Sequence, residues 1–203
     1  MSNQPMPYRP IGPSANSMPA YVIEGYAIIS AEGSITGSDG IMPPCLKIDA
    51  DWVYFQRQLD KSALTILGRL SHEATLSSKR VRLVLSERVD GLVQKDEKTW
   101  IINVSHTPIL EALKLLVPEG GRIAVVGGSR VFDLFLASRF DRFHLTIARK
   151  CQILAGRPIF RGTRSANHAI EQLNNHGLVI TCSNILDHKQ DSVLHIFDRP
   201  VIR

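Results

Sequence analysis

No run in this chain approaches the roughly 18 to 20 apolar residues that a membrane span needs. The amino terminus also lacks the cationic, then apolar, then small-residue order of a secretory signal. Neither a membrane-spanning nor an exported protein is expected. Cysteine is scarce: Cys45, Cys151 and Cys182 are odd in number, far apart and without metal-ligand spacing. That usage predicts reduced thiols in a cytoplasmic protein. The seven histidines show no ligand spacing either, so no metal site is expected. His72 and His144 read as ordinary helix-surface and strand-end residues. Aromatic residues make up only 6% and do not interleave with the basic ones. The net charge of +5 therefore forms no stripe of the nucleic-acid-binding kind, and a site for a small polyanion accounts for the surplus at least as well.

What is present fits one soluble domain, with 203 residues, 44% of them hydrophobic. Residues 1–19 carry five prolines among Ser, Asn and Gln and predict a flexible arm, leaving 20–203 as the folded unit. Tyr21–Ser30 is apolar and β-branched, a buried strand. Residues 31–48 are too rich in glycine and proline for regular structure and read as a long loop over a site. Asp49 or Asp51 is placed to cap a helix over 50–60 whose apolar face holds Trp52, Phe55 and Leu59. Strands follow at Ala63–Leu67, Val81–Leu85, Trp100–Val104 and Ile123–Val126. A short helix runs from Gly68 to about Thr75, a second spans Pro108–Val117 with Leu110, Leu113 and Leu116 inward, and a third spans Ser129–Ala137. Phe140–Ala148 is a further strand, 150–170 is irregular, and Gly177–Asn184 with Ser192–Phe197 flank a turn as a hairpin. Alternating strands and helices followed by a hairpin predict an α/β protein. Its central sheet is mainly parallel, with antiparallel strands at an edge.

In such sheets ligands bind at the carboxyl ends of the strands. Those ends read Ser30-Ala-Glu-Gly-Ser-Ile-Thr-Gly37, Gly68-Arg69-Leu70-Ser71, Ser86-Glu87-Arg88 and Gly127-Gly128-Ser129-Arg130. Arginine forks suit phosphate oxygens. A glycine turn before a helix offers backbone N–H groups to an anion. Together they predict a cradle for a phosphorylated nucleotide.

The chain resembles the dihydrofolate reductase superfamily, which includes the reductase domain of bacterial riboflavin biosynthesis. The resemblance runs from about Tyr21 to Phe160 through six stations in order. They are Ile29-Ser-Ala-Glu-Gly-Ser-Ile35, Asp51-Trp-Val-Tyr-Phe55, Thr65-Ile-Leu-Gly-Arg69, Arg80-Val-Arg-Leu-Val-Leu-Ser86, Val125-Val-Gly-Gly-Ser-Arg-Val-Phe132 and His144-Leu-Thr146. It implies a three-layer dihydrofolate reductase-like fold and NADPH as hydride donor. Gly68, Arg69 and Ser71 would hold the adenosine side and pyrophosphate, with Ser86 and Arg88 near the 2′-phosphate. Gly127, Gly128, Ser129, Arg130 and Val131 match the second phosphate-binding turn. Ala27 and Ile35 would lie near the nicotinamide. Asp51 stands four positions before Phe55, so both share a helix face. The resemblance makes Asp51 the catalytic carboxylate, with neighbouring Asp49 the other candidate, and Phe55 the packing surface for a flat heterocycle. Glu32 and Arg80 are expected to contact substrate; Arg80 falls where folate enzymes bind a carboxylate tail, and binding of a ribose phosphate, or a place in solvent, fits it equally.

Departures from the folate pattern bear on the substrate. Met42-Pro-Pro-Cys45 stands where Pro-Trp is usual, and Leu154-Ala-Gly-Arg-Pro-Ile-Phe160 is more like the riboflavin-type reductases. The expected reaction is reduction of an aminouracil-like ribosyl phosphate, with folate reduction as the alternative. A basic nucleotide- or nucleic-acid-binding module is the non-enzymatic one. Val, Ile and Leu on more than one face of the terminal hairpin offer a homodimer contact.

Overall fold

The computed structural model describes residues 19–74 and 79–200. The expected arm, save Pro19, and the expected end of a helix at Thr75 lie outside them. Eleven strands and five α-helices are described. They are β1 (Tyr21–Ser30), β2 (Ser34–Thr36), α1 (Asp49–Leu59), β3 (Leu64–Gly68), α2 (Arg69–Glu73), β4 (Arg82–Leu85), β5 (Leu92–Gln94), β6 (Thr99–Ile102), α3 (Ile109–Leu116), β7 (Gly121–Val125), α4 (Ser129–Ser138), β8 (Arg142–Ala148), β9 (Arg157–Pro158), α5 (Ala166–Asn175), β10 (Val179–Asp187) and β11 (Ser192–Asp198). Nine strands form one sheet in the order β10-β11-β8-β1-β7-β3-β4-β6-β5. The six from β8 to β6 are parallel; at one edge β11 pairs antiparallel with β8 and β10 antiparallel with β11, and at the other β5 pairs antiparallel with β6. The mixed α/β architecture is the expected one.

Alternation along β1 sorts side chains into two layers. Ile23, Ala27 and Ile29 face the main core, where α3, α4 and α5 pack through Leu113, Phe132, Phe135 and Leu173. Tyr26 and Ile28 face the opposite side, beneath α1 and the turn before it. The main core is held by an aromatic cluster in which Phe143 meets Phe140 at 5.0 Å, Phe132 at 5.7 Å and Phe160 at 5.8 Å between centroids. Gly25 makes room for it, since a Cβ there would stand 2.3 Å from the Phe143 ring.

Several expectations are corrected. Neither Asp49 nor Asp51 caps α1: the cap position is Ile48, without a side-chain hydrogen bond, and both aspartates lie inside the first turn. Of the three leucines expected inward on α3, Leu113 is buried and Leu116 packs partly buried on the core, but Leu110 is exposed and Ala112 is buried in addition. The stretch 150–170 contains β9 and the start of α5, whose cap Ser165 accepts the His168 N–H at 3.1 Å. The thiols of Cys45 and Cys151 are not free: they are joined as a disulfide across 106 residues, tying the turn before α1 to the segment after β8. Only Cys182 is free. His72 and His144, expected at the surface and a strand end, are both buried.

Candidate active site

The carboxyl ends of β3, β4 and β7 lie side by side because the strands are parallel neighbours. The Gly68 N–H donates to the Gly127 carbonyl at 3.0 Å. Gly127 and Gly128 have φ of +146° and +86°, which L side chains rarely adopt. A Cβ on Gly127 would stand 3.2 Å from Ser71 Oγ, and one on Gly68 3.6 Å from the Gly127 carbonyl. The two turns thus pack backbone against backbone at the head of the sheet. From the second, α4 departs with the positive end of its dipole facing the same place. Buried Val131 supports both glycine turns from below, its Cγ2 standing 3.5 and 3.6 Å from where their Cβ atoms would be.

Four other expected cofactor residues, Arg69, Ser86, Arg88 and Arg130, follow the carboxyl ends of these three strands. Arg69 pairs with Glu73 at 2.7 Å, and exposed Arg130 reaches Glu87 at 3.3 Å, bridging the β7 and β4 turns. Ser86 Oγ accepts the Arg88 N–H at 3.2 Å. The Ser129 hydroxyl donates to the Pro158 carbonyl, so it serves first to hold β9. Ala27 and Ile35 are partly buried against the main core.

On the other sheet face α1 presents a polar stripe to β8, β1 and β7. Asp51 faces the Thr146 side chain of β8; burial pushes its carboxyl above the usual range, and the interaction with Thr146 only partly offsets this. The residue as a whole keeps some surface exposure, so it is the carboxyl end that is enclosed. One turn on, the Tyr54 hydroxyl meets His144 Nδ1 at 2.7 Å. His144 lies flat on Tyr26, with ring centroids 4.4 Å apart and planes 3° from parallel. Behind them Glu24 is buried, receives the Tyr26 hydroxyl and faces Arg122 Nε at 3.3 Å. Burial acts to raise the Glu24 carboxyl, but the nearby His144 ring, the Tyr26 hydroxyl bond and the Arg122 charge hold it below the usual range. Phe55 lies between Tyr26 and Trp52, at 6.2 and 5.8 Å.

Two expected substrate residues are engaged within the chain. Arg80 forks onto Asp60 Oδ1 at 2.5 and 3.1 Å and donates to Gln56 Oε1 at 2.9 Å, bracing the end of α1. Glu32 Oε2 accepts from Ser30 Oγ at 2.9 Å and from the Ile153 N–H at 3.0 Å, joining the end of β1 to the segment after the disulfide. Burial acts to raise its carboxyl; these bonds keep it low. Sequence reasoning gave no role to Glu24, Tyr54 or Thr146. The signal for Glu24 was available, as a lone carboxylate inside an apolar strand. A cavity of about 380 Å³ adjoins the cluster around Glu24 at the amino ends of β1 and β7, lined by Glu24, Arg122, Arg142 and Asp198 among others. No group of metal-ligating side chains occurs among the described residues.

A mainly parallel sheet with a hairpin edge, glycine turns at its head and a helix-borne carboxylate beneath define a dihydrofolate reductase-like fold. Many solved structures are similar to it, two among them as follows. One is a Shewanella sp. PV-4 protein provisionally assigned to riboflavin biosynthesis, 15% identical over 89% of this chain and 99% of its own, with a TM-score of 0.62. The other is dihydrofolate reductase from Enterococcus faecalis, complexed with NADP(H) and RAB-propyl, 16% identical over 88% and 96%, with a TM-score of 0.61. No family model and no curated protein matches the chain.

Proposed function

We propose that this chain is an NADPH-dependent reductase of a pyrimidine- or pteridine-type heterocycle, of the riboflavin-biosynthesis type. The observation that carries the reading is an enclosed, easily protonated carboxylate, Asp51, two strands from a backbone cradle at Gly68, Gly127 and Gly128. The cradle fits a dinucleotide: the positive φ of Gly127 and Gly128 makes a turn that glycine adopts readily and other residues do not, and α4 points its amino end there. Arg69, Ser71, Ser86, Arg88 and Arg130 would hold the remaining phosphate charge, and Ala27 and Ile35 the nicotinamide end. When bound, the cofactor supplies the hydride. Asp51, rather than Asp49, which is exposed, holds the proton that a ring imine needs. Phe55 packs on the ring face, and Glu32 acts through the segment it fastens.

Arg80, engaged by Asp60 and Gln56, is presented neither to a carboxylate tail nor to a ribose phosphate; the riboflavin-like segment Leu154–Phe160 is what supports the aminouracil-type substrate over folate. A homodimer through the edge strand β10, whose Val179, Ile180 and Ile185 are exposed, completes the proposal. A cytoplasmic setting rests on the soluble-enzyme reading alone, since the cysteines no longer argue for it; no helix among the described residues is long and apolar enough to cross a membrane.

The test is a fluorescence titration of both nicotinamide cofactors, then NADPH oxidation with the ribosylaminouracil phosphate and dihydrofolate side by side. Tighter binding of NADPH than NADH, and turnover of the aminouracil, are expected. Turnover of dihydrofolate alone would reverse the substrate ranking. Silence with both substrates, joined to nucleic-acid binding that falls steeply with salt, would establish the binding-module alternative.

A further inference from the structure

The inward stripe of α1 is unusual in what it offers the sheet. Asp51, Tyr54 and Gln58 follow one another at helical spacing, and each meets a polar partner: Thr146, His144 and, at 3.3 Å, Arg122. Leu59 is the only fully buried residue of the helix. The helix that carries the carboxylate is therefore seated by directional contacts more than by apolar burial, and such contacts fix position more tightly.

The tautomer of His144 follows from its surroundings. Nε2 faces the Glu24 carboxylate at 3.6 Å, and that carboxylate, held in its ionised form, can only accept. Nε2 therefore carries the ring proton, Nδ1 is an acceptor, and Tyr54 donates to it. Tyr54 is suited to this, since burial and the Glu24 charge push its hydroxyl up to about 12 and keep it protonated. Burial also holds His144 neutral against the pull of Glu24. The groups facing the ring are Glu24 and Tyr26 from β1, Tyr54 from α1, Arg122 from β7, Arg142 from β8 itself and Asp198 from β11.

We infer that His144 and Tyr54 are positioning residues, which hold α1 at the height and rotation that keep the Asp51 carboxyl enclosed against Thr146. The inference rests on the reading of Asp51 as the proton-handling group. Thr146 and His144 stand two apart on β8, and Asp51 and Tyr54 three apart on α1, so the two contacts form adjacent rungs between strand and helix. Losing the second rung frees the first to tilt toward water, and a hydrated carboxyl titrates lower than an enclosed one.

The experiment follows the titration of Asp51 by NMR of aspartate labelled at the carboxyl carbon, assigned with Asp51→Asn, in the full chain without ligand. Tyr54→Phe and His144→Phe are expected to lower its midpoint by about one pH unit, a fraction of what full burial can impose. His144→Asn, which offers an acceptor in place of Nδ1, is expected to restore it. In turnover assays the pH profile should move in the same direction, while KM for NADPH stays put. An unchanged midpoint in the phenylalanine variants would overturn the inference, as would an asparagine variant as displaced as the phenylalanine one. Should His144→Phe fail to fold, Tyr54→Phe decides alone, since it removes one oxygen from a half-buried ring. A protein without reductase activity whose Asp51 midpoint moves as expected would overturn the proposed function and leave this inference standing.

Discussion

At Asp51 a side chain of ordinary chemistry acquires its behaviour from where the backbone puts it. Burial favours the uncharged form and the Thr146 hydroxyl favours the charged one, with burial the larger effect. A carboxyl so poised keeps a proton at a higher pH than a surface aspartate. Asp51→Asn keeps the shape and removes the exchangeable proton. Hydride transfer is expected to fall by about 100-fold or more, with NADPH affinity nearly unchanged. Stopped-flow turnover beside a cofactor titration checks this, and an unaltered rate would reduce Asp51 to a fixture of the first helical turn. At this scale the sequence was informative where a residue type is rare in its context. The paired glycines and the Asp51–Phe55 spacing were legible. The engagement of Arg80 with Asp60, and of Glu32 with Ile153, was not, because partners 20 and 121 positions apart leave no local pattern.

Among the elements, β1 was readable end to end because most of it is buried on both faces and so reads as an apolar run, interrupted only at Glu24 and Gly25. β5 was missed for the opposite reason: three residues at a sheet edge, none fully buried, carry no apolar pattern. α5 did leave a trace. Its cap Ser165 precedes Ala166, Ala169 and Leu173, the three residues it buries, at helical spacing. Two of the three are alanines, so the stripe is faint beside its polar neighbours. The cap carries a share of this helix's stability. Ser165→Ala removes the acceptor for the His168 N–H, and a loss of about 1 kcal/mol is expected in urea unfolding. A loss too small to measure would mean that burial of Leu173 and the two alanines seats the helix without the cap.

For the molecule as a whole, the polar layer between α1 and the sheet predicts how stability responds to acid. His144 is held below its ordinary value in the fold, so the unfolded chain binds the extra proton first. Stability is complete above about pH 6.5, the ordinary histidine value, and declines as pH falls from there toward the folded value. Glu24, Glu32 and Asp198 are also held low; their contribution is present above the ordinary carboxylate range and is lost as pH falls through it. Asp51, held high, acts in the opposite sense in its own window. Acid should therefore weaken the protein in two stages; His72 and His195, also held low by burial, share the upper one, so His144→Phe should shrink it. Melting temperatures across pH 4 to 8 test this, and a single carboxylate stage in the unaltered protein would contradict it.

The bond between Cys45 and Cys151 encloses more than half of the chain in a covalent ring. A protease cutting anywhere within that ring would make two pieces that stay threaded together, one carrying β1 and the other the hairpin. Nicked protein should run as a single band on a gel without reductant and as two with it. Damage to any exposed turn between those positions would leave Asp51 and Thr146 on the same molecule.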